Sequence, residues 1–277
     1  MSKPLLHFAH GNSYPAGSYN RMLEALRQHY EVRTLDMHGH DPRYPVSDGW
    51  PGLVDELIVQ LESYGRPAIL VGHSLGGMLC AMAAKRRPEL ARCVVMLDSP
   101  VVAGWRALVW RAVKGLGLGS RFSPAQFSEK RRHLWPDRQA AYEHFASKPM
   151  FQAWAPGALD DYLDHGLAPH SEGVALRFQR EVESAIYNSL PHHMGEIIRE
   201  PFPVPVGFIA GTDSEELRQA SLAPTRKLVG ENLVMIQGSH LYPMEKPEAT
   251  ARLTQDMIAR LLGQQAQART EQLVQAG

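Results

Sequence analysis

Residues 69–78 read ILVGHSLGGM, an aliphatic run that leads directly into the pattern G-x-S-x-G. The run predicts a strand buried on both faces, and the alanine-rich stretch that follows predicts a helix. A tight turn between such a strand and such a helix needs small neighbours, and Gly72, Gly76 and Gly77 supply them. The turn would therefore hold the hydroxyl of Ser74 clear of the sheet edge, where a nucleophile is useful.

Short aliphatic runs recur along the chain and alternate with helical patterns. The runs cover residues 4–9, 31–35, 68–71, 92–97, 204–210 and 233–237. The clearest helical pattern places Trp50, Leu53, Leu57 and Leu61 on one face of a helix. This alternation predicts an α/β fold, with a mainly parallel sheet, helices on both faces and ligands beyond the carboxyl ends of the strands.

The alternation stops in the middle of the chain, where aromatic, basic and proline residues dominate and no strand-like run occurs. Proline clusters at residues 99–100 and 201–205 bracket this region. We therefore predict a helical cap inserted at residues 100–202, on a core formed by residues 1–99 and 203–263. Residues 264–277 have no strong apolar face, so we expect a frayed or peripheral C-terminal tail.

Composition restricts the function. The 277-residue chain carries 29 basic and 29 acidic side chains, so its net charge is zero and nucleic acid is a poor partner. A small-molecule substrate is expected, and a homodimer is left as an open alternative.

Two cysteines, Cys80 and Cys93, are too few for a disulfide framework or a four-ligand zinc site, and no signal peptide is visible, so we expect a cytoplasmic protein. Charges at Arg106, Arg111 and Lys114 interrupt the most apolar long stretch, residues 101–119, so no membrane span is expected.

Three segments occur in an order known from one large group of enzymes. FAHGN at residues 8–12 follows the first predicted strand, GHSLG spans residues 72–76, and QGSHLYPMEKP at residues 237–247 follows the last strand. In these segments the chain resembles the α/β-hydrolase superfamily. The resemblance implies that Ser74 is the nucleophile and His240 the general base. It also implies that the backbone N–H groups of Asn12 and Leu75 form the oxyanion hole.

The acid that orients the histidine has two candidates. Asp213 follows the penultimate strand, where relatives usually carry the acid, although their common spacing falls one residue later, on Ser214. Glu215 and Glu216 stand nearby as substitutes. Asp98 ends the strand after the nucleophile helix, a position that some relatives use. We expect Asp213 to complete a Ser-His-Asp triad, with Asp98 as the alternative.

Other histidines lie outside this pattern. His38, His40 and Asp41 lack the spacing of a metal hydrolase, because no residue separates the second histidine from the aspartate. We interpret His192 and His193 as a surface pair. No proposed role needs a metal or a cofactor, so neither is expected.

The resemblance implies a serine hydrolase that forms an acyl-enzyme intermediate on an ester, thioester or amide, with a carboxylic ester as the commonest substrate. We expect esters of small to medium apolar acids. The apolar preference rests on aromatic residues of the insertion, including Trp105 and Trp154, which are typical of pocket walls. The helical face that begins at Trp105 and includes Leu116 could pack on the core, line the acyl pocket or touch lipid. The basic run KRRH at residues 130–133 predicts a solvated helix surface.

Three other functions stay open. The same triad suits carbon–carbon bond hydrolysis or cofactor-free perhydrolysis, and the fold also suits a non-catalytic ligand sensor.

Overall fold

The computed structural model describes residues 2–115, 128, 130–198 and 201–276. The described residues form nine strands: β1 (Leu5–Ala9), β2 (Glu31–Thr34), β3 (Ala68–His73), β4 (Ala91–Leu97), β5 (Leu134–Trp135), β6 (Leu167–His170), β7 (Gly173–Leu176), β8 (Val206–Gly211) and β9 (Leu233–Ile236). Six of them form one sheet in the order β2-β1-β3-β4-β8-β9, and all neighbouring pairs are parallel. The predicted α/β fold is confirmed.

Helices cover both faces of this sheet. They span Asn20–Arg27, Pro51–Glu62, Leu75–Arg86, Trp105–Gly115, Arg138–Ala146, Pro149–Gln152, Ala158–Gly166, Arg180–Asn188, Glu215–Ala220, Ala223–Val229, Tyr242–Glu245 and Pro247–Ala276, with 3-10 turns at Ala16–Tyr19, Pro88–Leu90 and Met194–Ile198. One buried cluster includes Leu53, Leu57 and Leu79, and a second includes Met22 and Leu261. The sheet therefore lies between two hydrophobic layers.

The register of the parallel strands aligns their carboxyl ends. Ala9 of β1 pairs with Gly72 of β3, and Leu97 of β4 pairs with Ile209 of β8. Because parallel strands end at the same edge, the loops that follow them converge there.

The insertion differs from the prediction because it contains strands. β5, β7 and β6 form a small antiparallel sheet. These strands have only two to four residues, and most of their side chains are partly or fully exposed. Strands that are this short and bury few side chains need no aliphatic run, so periodicity could not reveal these three. Leu116, Phe122 and Phe127 lie outside the described residues.

Aromatic side chains of the insertion pack on one another and on the core. Phe151 packs against Trp154 in a tilted arrangement with 4.6 Å between ring centroids, and the ring of Tyr14, from the loop after β1, lies 6.0 Å from that of Trp154. Phe145 and Tyr162 complete the cluster at 5.3 Å. These rings are therefore mostly core residues.

One other expectation needs correction, and residues 264–267 of the tail expected to be peripheral are mostly exposed within a helix. The basic run at residues 130–133 is not helical, and its Arg131 side chain is only 28% exposed. The C-terminal helix Pro247–Ala276 continues through the predicted boundary at 263, and Gln264 hydrogen-bonds to Asn232 at 3.2 Å. Buried Met257 and Leu261 anchor the helix before Gly263, whose cost within a helix is only about 1 kcal/mol.

No helix among the described residues is both long enough and apolar enough to cross a membrane.

Candidate active site

Ser74 lies at the turn between β3 and the helix Leu75–Arg86, as predicted. Its backbone has φ 52° and ψ −117°, an unusual conformation for a residue with a side chain, which costs about 1–3 kcal/mol. A Cβ atom on Gly72 would lie 2.3 Å from the carbonyl carbon of Gly76, and one on Gly76 would lie 2.1 Å from the oxygen of Ala9. Only glycine fits both places, so the turn depends on the glycines identified in the sequence.

His240 bridges Ser74 and a carboxylate. Its Nε2 lies 3.0 Å from the Ser74 hydroxyl, and its Nδ1 lies 2.7 Å from Oδ2 of Asp98. With the proton on Nδ1, the ring donates to Asp98 and accepts from the serine hydroxyl. The three side chains therefore form a continuous hydrogen-bonded chain.

The expectation that Asp213 contacts the histidine is wrong. Asp213 is exposed, and its carboxylate accepts from the hydroxyl of Thr212 at 3.2 Å. The next residue, Ser214, is buried and caps the helix Glu215–Ala220 by accepting from the backbone N–H of Leu217. In this turn Ser214 faces inward, whereas Asp213 faces solvent.

Asp98, the alternative acid, occupies the position beside His240. It is fully buried at the end of β4, and its Oδ1 accepts from the backbone N–H of Gly211 at 2.7 Å. Its Oδ2 accepts from the Ser214 hydroxyl at 2.5 Å as well as from His240. Three donors thus satisfy this buried carboxylate and hold it in one orientation.

Glu216 places a second carboxylate near the histidine. Its Oε2 lies 3.8 Å from His240 Nδ1 and 3.4 Å from the Ser214 hydroxyl. Burial opposes protonation of His240, but the hydrogen bond that His240 donates to Asp98 and the charges of Glu216 and Asp98 outweigh it and raise the pKa of His240.

The loop after β1 carries the predicted oxyanion donor Asn12. The turn after Ser74 packs closely against this loop, since a Cβ on Gly76 would approach the carbonyl oxygens of Ala9 and His10. Leu75 is the first residue of its helix, where backbone N–H groups have no partner within the helix. The Asn12 side chain is buried and donates from Nδ2 to the carbonyl of Glu183 at 3.1 Å.

Tyr19 and His73 connect the loops of the site, and sequence reasoning missed both roles. The Tyr19 hydroxyl accepts from the backbone N–H of Gly11 at 3.0 Å and donates to His73 Nδ1 at 2.7 Å. His73 Nε2 in turn donates to the carbonyl of His240 at 2.8 Å. Burial and the neighbouring His240 lower the pKa of His73 well below its usual range, so the ring is neutral. The position of His73 beside the serine was a usable signal, whereas Tyr19 had none.

A family model described as the alpha/beta hydrolase family matches residues 8–253. The chain belongs to the alpha/beta hydrolase family.

Relatives of this hydrolase include enzymes with different named substrates. The 2-(acetamidomethylene)succinate hydrolase of Mesorhizobium japonicum is 30% identical over 267 residues, which cover 93% of this chain and 88% of that protein. A pimeloyl-[acyl-carrier protein] methyl ester esterase of Xanthomonas axonopodis is 27% identical over 113 residues, so the chain spans less than half of that relative, 44%. The crystal structure of an E-2-(acetamidomethylene)succinate hydrolase aligns with a TM-score of 0.74 at 22% identity over 93% of this chain and 92% of the other, which shows a shared fold.

Several other histidines of this alpha/beta hydrolase lie near polar or charged groups of the fold. His10 Nε2 accepts from the backbone N–H of His38 at 2.7 Å, and His38 Nδ1 lies 3.3 Å from Glu56. His40 accepts from the backbone N–H of Gln179 and thereby joins the core to the insertion. His192 is half-buried, 3.8 Å from Asp48, so the expected surface pair is only partly exposed.

Metal ligation is geometrically conceivable at one place among the described residues. Ligand atoms of Asp98, Glu216 and His240 lie within 4.8 Å of one another. Both nitrogens of His240 already have hydrogen-bond partners, namely Asp98 and Ser74. The arrangement therefore suits proton transfer better than ligation.

Proposed function

We propose that this chain is a serine hydrolase that acts on carboxylic esters through an acyl-enzyme intermediate. The hydrogen-bonded chain from Ser74 through His240 to Asp98 carries the proposal, because a serine hydroxyl is a poor nucleophile without an adjacent base. The ester named for the Xanthomonas relative supports this substrate class.

The reaction begins when Ser74 Oγ attacks the ester carbonyl carbon and passes its proton to His240 Nε2. Asp98 stabilises the resulting imidazolium, and the backbone N–H groups of Asn12 and Leu75 donate to the oxyanion. Collapse of the tetrahedral intermediate breaks the bond to the alcohol oxygen, which takes the proton from His240. Water then repeats these steps on the acyl-enzyme and releases the acid and the free serine.

The acid half of the ester is proposed to be small to medium in size. Its expected apolar character rested on aromatic residues of the insertion, but Trp154 is 7% exposed and packed in the aromatic cluster, and Trp105 is 65% exposed. The rings therefore give little support for an apolar acid, and the ester bond itself is the core of the proposal.

A fluorophosphonate tests the proposal directly, because it reacts with a serine that has both a base and an oxyanion hole. We expect mass spectrometry to find one modified residue, Ser74, and Ser74→Ala to abolish both labelling and the hydrolysis of p-nitrophenyl esters of graded chain length. Ser63→Ala, at an exposed serine, is the matched control. Ligand binding by a protein with an unreactive Ser74 and no turnover would favour the sensor instead.

A further inference from the structure

A cavity of about 390 Å³ lies in the insertion, beside the basic run at residues 130–133. Its wall is strongly basic and contains Lys130, Arg131, Arg132, His144, Lys148 and Glu183. The whole chain has no net charge, so this is a local concentration of cations.

Among these positive side chains, Arg131 has an acidic partner. Arg131 forms an ion pair with Glu183 at 2.8 Å, and the Glu183 side chain is only 2% exposed. The described residues place no other carboxylate within ion-pair distance of Lys130, Arg132 or Lys148. Three positive side chains therefore border the cavity without a counter-ion from the described part of the chain.

Neutral contacts hold two of these cations in position. Arg132 lies over the ring of Trp135 at 5.6 Å and donates from Nε to the carbonyl of Leu134 at 3.0 Å. Lys148 Nζ lies 5.2 Å from the centre of the Phe145 ring. Such contacts orient a cation but leave its charge available to a ligand.

The positive side chains around the cavity also repel one another. Burial and the charge of Arg131 lower the pKa of Lys148, and burial together with Lys148 and Arg132 lowers the pKa of His144. An anion in the cavity would relieve this repulsion.

The wall of the cavity is hydrogen-bonded to the loop that carries Asn12, the proposed oxyanion donor. Glu183 and Tyr187 lie on the helix Arg180–Asn188 and both line the cavity. The carbonyl of Glu183 accepts from the Asn12 side chain at 3.1 Å. A group bound in the cavity therefore lies against the same helix that contacts the Asn12 side chain.

We propose that this cavity binds a carboxylate of the substrate, so that the preferred substrates are half-esters of dicarboxylic acids. The inference rests on the proposed ester hydrolysis and adds the class of acid. Arginine and lysine recognise carboxylate and phosphate by the same charge-assisted hydrogen bonds. The alternative ligand of the cavity is therefore a free anion such as phosphate.

The test compares kcat/KM for monomethyl esters of dicarboxylic acids with methyl esters of monocarboxylic acids of equal length. We expect the half-esters to be preferred by about tenfold, the value of one charge-assisted hydrogen bond, with the preference falling at high salt. Lys148→Gln and Arg132→Gln should raise KM for half-esters by a similar factor and leave neutral esters unchanged. Lys3→Gln, which removes an exposed charge at the start of the chain, is the control.

A binding measurement separates this inference from the proposed function. Calorimetry on Ser74→Ala should detect a dicarboxylate such as adipate, and Lys148→Gln should weaken its binding. Two results would overturn the inference while ester hydrolysis stands. One is an equal loss of kcat/KM for neutral esters and half-esters in Lys148→Gln and Arg132→Gln. The other is adipate binding that Lys148→Gln leaves unchanged. Phosphate binding as tight as adipate binding, without any half-ester preference, would identify an effector site instead. Failure of Ser74 labelling would count against the hydrolase itself.

Discussion

Single residues decide how the reaction centre is held. Asp98 receives hydrogen bonds from Gly211, Ser214 and His240, and Ser214 is the residue on which the common spacing of the acid falls. A hydroxyl at that place donates to the acid on the neighbouring strand. Asp98 thus supplies the negative charge beside His240, and Ser214 supplies a hydrogen-bond donor that orients the Asp98 carboxylate.

The two aspartates should differ sharply when each is changed to asparagine. Asp98→Asn is expected to lower kcat by about 10³–10⁴-fold, because asparagine favours the wrong tautomer of His240. Asp213→Asn should keep activity within about twofold, since exposed side chains without buried partners contribute little. Steady-state kinetics of both variants, with thermal melting as the check on folding, makes the comparison. If Asp213→Asn lowered kcat more than Asp98→Asn, Asp213 would be the acid that acts with His240.

Glu216 should set the acid limb of the pH profile. Hydrolysis needs neutral His240, so kcat/KM rises with pH through the pKa of that ring. The charge of Glu216 helps to raise this pKa, so Glu216→Gln should move the midpoint to lower pH and increase relative activity in acid. Glu215→Gln is the matched control, because Glu215 pairs with Arg218 on the same helix. An unmoved midpoint in Glu216→Gln would show that its charge does not reach the histidine.

At the level of strands and helices, the parallel register brings four loops together. These loops follow β1, β3, β4 and β9 and carry Asn12, Ser74, Asp98 and His240 respectively. Tyr19 and His73 connect the first and fourth of these loops to the end of β3 through hydrogen bonds. This network fixes the spacing between the loop after β1, the turn at Ser74 and the loop that carries His240.

Tyr19→Phe should disturb that spacing. It removes the acceptor for the Gly11 N–H and the donor to His73, and each buried polar group left without a partner costs about 1–3 kcal/mol. We expect kcat for esters to fall by about 10–100-fold, the scale on which small misplacements act. The rate of fluorophosphonate labelling should fall with it, while KM changes little. Tyr30→Phe is the control, and a variant that lost stability but kept kcat would make Tyr19 merely structural.

At the level of the whole molecule, the aromatic cluster fastens the insertion to the core. Trp154 contacts Phe151 and Tyr162 from the insertion and Tyr14 from the loop after β1. The insertion is thus packed on the loop after β1 by large buried rings, which are among the strongest sources of packing free energy.

The two tryptophans of the insertion should behave differently. Trp154→Ala is expected to lower the free energy of unfolding by about 3–5 kcal/mol, because it opens a cavity among buried rings. Trp105→Ala should change it by less than about 0.5 kcal/mol, since that side chain is 65% exposed. Denaturant titration measures both, and the order of preferred esters should stay the same in both variants. A changed order in Trp105→Ala would place that residue in the acyl pocket.

The amino-acid sequence by itself determined the parts of this protein whose signal is local. The aliphatic run before Gly72, the glycines at 72, 76 and 77, and the loops around His10 and His240 are short patterns of neighbouring residues. Their steric and hydrogen-bonding demands can be recognised without knowing what lies across the fold. For this reason the sheet and the placement of Ser74 and His240 followed from the sequence.

Only the tertiary structure decided which groups meet. Asp98 contacts His240 across 142 residues of chain and Ser214 across 116, and His73 contacts His240 across 167. Both aspartates end or follow a strand at the same sheet edge, so local pattern could not tell which one faces inward. The small antiparallel sheet and the basic cavity of the insertion were equally hidden, because their residues have no periodic buried face. Contacts between distant segments depend on how the elements pack, and that information is spread over the whole chain.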